Sequence, residues 1–214
     1  AKGYILKHAN LLDRSLCLLL MVSHNHLCRT MGRAVLTQEF HISTEASAAY
    51  ISTVWLALAL LSPILGYLSN RFNRRCIFLQ ITAAIGLIGI LALLFIPITA
   101  PWFIIVTLSG IGIAAAGQIL TFAVVRDINQ HNITATAIAF NNLAVVAGGL
   151  LLHPVVGYLL KLFGNSMGSH GAITYSVKDY HIAFLFIPIC YITGILVSRY
   201  KIKETFCLDQ EVQT

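Results

Sequence analysis

The residues with chemistry to offer in this 214-residue chain are few, and they sit inside otherwise apolar runs. They are His24, Asn25, His26 and Arg29 near the start, Gln118 in the middle, and Asn141, Asn142 and His153 further on. Amides and a guanidinium hydrogen-bond or pair with a small polar molecule, and histidine titrates near neutrality and can pass a proton. Asn25, Arg29 and Arg33 follow at i, i+4 and i+8, with His26 three before Arg29, so they share one helix face. Asn142, Gly149 and His153, at i, i+7 and i+11, share another. At membrane depth such groups are costly and face a bundle interior or a water-filled cavity. The chemistry they point to is solute binding at Asn25, His26, Arg29, Gln118, Asn141 and Asn142, with proton coupling at His24 or His153. Plainer readings stand beside it: Arg29 and Arg33 in an external loop, Gln118 as glue between helices, His153 as a packing residue beside Pro154.

The elements that must hold these residues are set by composition. The chain is 57% hydrophobic and 10% charged, with mean hydropathy +0.81, where soluble domains carry about 25% charged residues. Crossing a bilayer takes a helix of about 20 apolar residues. Six runs qualify, at about 10–36, 46–68, 76–97, 101–126, 133–162 and 180–199, which predicts an all-α membrane protein with residues 1–214 forming a single six-helix transmembrane bundle. Pro63-Ile64-Leu65-Gly66-Tyr67-Leu68 closes the second run, and Pro154-Val155-Val156-Gly157-Tyr158-Leu159 falls in the fifth. Such repetition predicts a 3+3 inverted repeat. Nothing resembles a nucleotide loop, a hydrolase elbow, a zinc helix or a cysteine pair, so neither an enzyme nor a metal or other cofactor is expected. Cys17, Cys28, Cys76, Cys190 and Cys207 read as buried small hydrophobes.

The formal charge of +6 raises nucleic acid as a partner, but the cations lie in short loops and tails between apolar runs. With the N-terminus cytoplasmic, inner segments carry Lys2, Lys7, Arg14, Arg71, Arg74, Arg75, Arg126, Arg199, Lys201 and Lys203, against Arg29, Arg33, Lys161 and Lys178 outside. That bias obeys the positive-inside rule and predicts both termini in the cytoplasm.

The loop Gly66-Tyr67-Leu68-Ser69-Asn70-Arg71-Phe72-Asn73-Arg74-Arg75 resembles the G-x-L-x-D-R-x-G-R-R signature of the major facilitator superfamily, with Asn70 and Asn73 where the family's Asp and second Gly are expected. The stretch from Thr134 to Asn142, followed by Gly148-Gly149 and His153-Pro154-Val155-Val156-Gly157, is similar to the helix-eleven region of those transporters. Ile202-Lys203-Glu204-Thr205 is similar to their close of helix twelve. The resemblance implies the C-terminal half of a twelve-helix secondary transporter, partnered by an N-terminal six-helix half. It implies alternating access across the inner membrane, moving a small polar metabolite by uniport or proton symport. Gly66, Asn70, Arg71, Arg74 and Arg75 then form the gating loop. The wording is closest to bacterial metabolite importers of the phagosomal transporter branch, which implies an amino acid or nucleoside, with organic anions as a further class. The alternative is a self-contained six-helix membrane protein: a homodimeric half-transporter, a non-transporting receptor or a degenerate remnant.

Overall fold

The computed structural model of the chain describes residues 36–37, 42–96, 100–129, 133–163, 177–201 and 204. All its described elements are helices. The first, α1 (Thr44–Arg71), starts where the Ser43 side chain accepts a hydrogen bond from the Ala46 backbone N–H at 3.2 Å, with Glu45 in the first turn, where a carboxylate suits the positive end of the helix. It ends in a three-residue turn. Asn73 takes φ 52°, and the Arg74 N–H returns to the Ser69 carbonyl at 3.1 Å. Asparagine is one of the few residues with a side chain that tolerates this left-handed geometry. That is why it can stand where the resemblance expects glycine.

Helix α2 (Arg75–Phe95) follows, then α3 (Pro101–Ala116), which opens on a proline at its first position, where the missing N–H costs nothing. Gly117 joins α3 to α4 (Gln118–Ile128), and the two make one apolar rod, Pro101–Ile128. Helix α5 (Thr134–Phe163) has 30 residues, about 45 Å at 1.5 Å per residue. Helices α6 (Val177–Phe184) and α7 (Phe186–Lys201) run on from one another, with the Leu185 N–H bonded to the His181 carbonyl at 3.1 Å. Among the described residues four rods are long and apolar enough to cross a membrane: Thr44–Arg71, Arg75–Phe95, Pro101–Ile128 and Asp179–Tyr200. Of the run at about 10–36 only Leu36 is among the described residues.

The rod Pro101–Ile128 is the centre of the bundle. It packs on α1, α2 and α5, while α2 also packs on α7, and α5 on α6. In its most apolar window 67% of residues are buried, against 11% for α1, so α1 presents most of its surface outward. Close packing at the centre depends on small residues. A Cβ on Gly86 of α2 would strike both Ala114 of α3 and the buried Tyr191 of α7, so three helices meet at that glycine. Cys76 and Cys190 are buried within the bundle.

Candidate functional site

Among the described residues, two clusters of polar side chains tie separate helices together. The first is at the end of the bundle where α1 turns into α2. Arg75, the first residue of α2, donates from Nε to Asp127 Oδ2 at the end of α4. Their side chains are 10% and 2% exposed. Arg74, at the N-cap position, makes no side-chain cap, and Glu204 from beyond α7 takes that role. Its carboxylate accepts from the backbone N–H groups of Arg75 at 2.6 Å, Cys76 at 3.1 Å and Ile77 at 3.4 Å. A helix N-terminus carries unsatisfied donors and partial positive charge, so an anion fits there. Two carboxylates thus hold one helix start, and the α1–α2 turn, the end of α4 and the chain after α7 are tied together. Gln80 donates to Ser198 at 3.4 Å close by.

Within the loop expected to gate, Asn70, Arg71 and Arg74 are exposed, whereas Arg75 points into the bundle. Sequence reasoning grouped the three arginines; the structure separates Arg75 from the other two. Asp127 and Glu204 were not singled out as its partners. The available signal was that each is an acid at the edge of an apolar run with basic neighbours.

The second place is a polar seam between α4 and α5. Asn141, fully buried, donates from Nδ2 to Thr121 Oγ1 at 3.1 Å, and that hydroxyl donates on to the Gln118 carbonyl at 2.7 Å. Among the described residues Asn141 Oδ1 has no hydrogen-bond partner. Asn142, one residue on, is exposed. Gln118 is half-buried and borders a small cleft with Thr82, Gly117 and Tyr191. Thr82 and Thr107 hydrogen-bond to carbonyls of their own helix, which removes their need for an outside partner. Thr121 thus links the Asn141 side chain to the backbone carbonyl of Gln118, and Asn142 is set apart. His24, Asn25, His26 and Arg29 lie outside the described residues, as does the side chain of His153. Among the described residues no group of three His, Cys, Asp or Glu could hold a metal ion.

The seam makes a contrast that can be measured. Thr121→Val removes the acceptor of Asn141 and leaves both ends of a buried amide unpaired, which costs about 1–3 kcal/mol for an unsatisfied polar group. Asn141→Leu deletes the amide together with its orphaned oxygen, and the purified protein should melt within about 1 kcal/mol of wild type. Thermal unfolding in detergent should rank Thr121→Val below Asn141→Leu; the reverse order would mean that Asn141 Oδ1 is satisfied.

No curated protein matches the chain. Solved structures do. The inward open conformation of the xylose transporter XylE from E. coli aligns with TM-score 0.70 and 18% identity over 92% of this chain and 48% of that one. A partially occluded inward open conformation of XylE gives 0.66 and 18% over 91% and 49%. The proton:xylose symporter XylE bound to 6-bromo-6-deoxy-D-glucose gives 0.62 and 18% over 90% and 44%. At this identity the likeness is one of fold, and this chain spans about half the length of the structures it matches. The sequence itself matches the family model of the Major Facilitator Superfamily over residues 19–205, a range that takes in the α1–α2 turn, Arg75, Asp127, the α4–α5 seam and Glu204. The chain belongs to the major facilitator superfamily.

Proposed function

We propose that this chain is one six-helix half, built as a 3+3 inverted repeat, of a secondary active transporter. With an N-terminal six-helix half it moves a small polar metabolite across the inner membrane by alternating access, with both termini in the cytoplasm. The observation that carries this reading is the set of ties at the Arg75 end. Asp127 and Glu204 bind two stretches far apart in sequence to the start of one helix, which favours motion of the bundle as a body. Membership of the superfamily and the half-length match to the XylE structures support it. Solute contacts are assigned to Gln118, Asn141 and Asn142, together with Asn25, His26 and Arg29, and proton coupling to His24 or His153. An amino acid, nucleoside or organic anion would meet the guanidinium of Arg29 through its carboxylate or another polar group. The test is counterflow of labelled metabolites into proteoliposomes holding the full-length transporter. Saturable exchange of one such solute, abolished by Arg29→Ala at unchanged membrane abundance, is the expected result. If no metabolite exchanges above empty liposomes, the reading fails; exchange that survives Arg29→Ala takes Arg29 out of the site.

A further inference from the structure

We infer that the backbone carbonyls of Ala59 and Leu150, each freed at mid-membrane by a proline four residues on, accept hydrogen bonds from the transported solute. That solute therefore carries a donor group, an amine or a hydroxyl. The inference rests on the half-transporter reading and narrows its solute class, setting donor-free organic anions aside.

Pro63 lies within α1 and Pro154 within α5. A proline has no N–H, so the carbonyl four residues before it loses its helical partner. Those carbonyls belong to Ala59 and Leu150. The hydroxyl beside the first break is committed elsewhere, since Ser62 donates to the Leu58 carbonyl at 2.6 Å. Both freed oxygens lie on outward faces. Ala59, Pro63 and Pro154 are exposed, and Leu150 is 74% exposed, whereas Leu65 and Val156 turn into the bundle. Residues four apart share a helix face, and one turn further on Tyr67 and Tyr158 are exposed as well. A Cβ on Gly66 or Gly157 would meet nothing within 4 Å, so the face beside each proline is open. Pro188, near the start of α7, makes the contrast. It is buried, as is Phe184 four residues before it, so that break turns into the protein.

The two carbonyls also match in depth, each near the middle of its helix. Ala59 is about 18 Å from the end of α1, and Leu150 about 24 Å from the start of α5, at 1.5 Å per residue. The hydrocarbon core of a bilayer is about 30 Å thick, so both fall well inside it. Acyl chains offer no donor, and an unpaired backbone group at that depth is tolerated only against protein or a water-filled cavity. The outer faces of α2 and α7 are of another kind. They expose Ile77, Ile81 and Ile88, and Ile189, Ile192 and Leu196, branched side chains suited to acyl chains. A carbonyl oxygen accepts hydrogen bonds and donates none. An ammonium or a hydroxyl satisfies it; a carboxylate brings only further acceptors.

The test uses the full-length transporter in proteoliposomes with labelled amino acids, nucleosides and dicarboxylates such as succinate. Exchange of an amino acid assigns the donor to an ammonium, and exchange of a nucleoside to a ribose hydroxyl; dicarboxylates should not exchange. Pro63→Ala and Pro154→Ala restore the missing N–H and close the helical bond. The half-saturating concentration should then rise at least tenfold in each, at a melting temperature no lower than wild type. Pro63→Gly and Pro154→Gly restore the same N–H on a freer backbone, and they should bind as poorly as the alanine variants. Ala59→Cys and Leu150→Cys should react with a water-soluble methanethiosulfonate above the wild-type background, and Ile81→Cys and Ile192→Cys should not. Exchange of succinate, or wild-type half-saturation in the alanine variants, would overturn the inference and leave the transporter reading standing. Recovery in the glycine variants would also overturn it, giving the prolines a role as bends, as would Ala59→Cys and Leu150→Cys no more reactive than the lipid-side pair. If no labelled solute exchanges above empty liposomes, the transporter reading itself fails, and the inference with it.

Discussion

Replacing Asp127 with alanine is expected to lower the stability of the bundle by about 3–5 kcal/mol, the usual result of removing one partner from a buried ion pair. The Arg75 side chain is only 10% exposed. It also sits at the first position of α2, where the partial charge of the helix is positive. Without Asp127 the guanidinium is buried beside like charge, with the Glu204 carboxylate committed to three backbone donors. The comparison with Glu204→Gln sets the scale. That change keeps an acceptor at the helix start and loses a charge–dipole interaction of about 0.3–1 kcal/mol. Thermal unfolding of the purified transporter should therefore show a large drop for Asp127→Ala and a small one for Glu204→Gln. The double variant Arg75→Met with Asp127→Leu should regain most of the loss, since an apolar pair of similar volume replaces a buried ion pair at little or no cost. If the double variant is stable but does not transport, the pair serves the transport cycle; if it is stable and transports, the pair serves folding. Wild-type melting of Asp127→Ala alone would show that water reaches Arg75.

What was legible in the sequence followed from local rules. Uncharged runs mark the rods, and Pro101 marks the start of α3. The run expected at about 46–68 becomes a helix over Thr44–Arg71, longer at both ends, because Ser43 caps it and Asn73 closes it only after Arg71. What was not legible needed the packing. Arg75 and Asp127 are far apart in the chain, and Arg75 and Glu204 further still; read along the sequence, each is a charge at the edge of an apolar run. Asn141 and Asn142 are neighbours of one chemical type and read as a pair. On a helix they point about 100° apart, and only the position of α4 decides that Asn141 enters the seam while Asn142 faces out. The repeat was visible as a string, but its symmetric exposure was not, since Gly66 and Gly157 follow a branched apolar residue just as the packed Gly86 and Gly112 do.

Enlarging Gly112 should damage the bundle where enlarging Gly66 does not. A Cβ on Gly112 of α3 would lie 2.6 Å from the Val54 carbonyl oxygen and 2.7 Å from the Ala57 Cβ, both on α1. A backbone carbonyl within a helix cannot rotate away without losing its own hydrogen bond, so α1 and α3 must separate. Association of helices in lipid relies on such close packing, without a hydrophobic drive between them. Overpacking costs about 1–3 kcal/mol, and Gly112→Val, with a branched side chain against the same backbone, belongs at the upper end or beyond. Gly66→Ala has open space on its face and gains about 1 kcal/mol of helix propensity, so it should melt at or above wild type. The same pair of measurements bears on the rod Pro101–Ile128 as a whole. Gly112 lies four turns before Asp127 on that rod, so pushing α3 off α1 also shifts Asp127 relative to Arg75, and the cost of Gly112→Val should overlap with that of Asp127→Ala instead of adding to it. Full additivity in the double variant would show that the crossing of α1 with α3 and the ion pair are independent; wild-type melting of Gly112→Ala would show that the helices part at no cost.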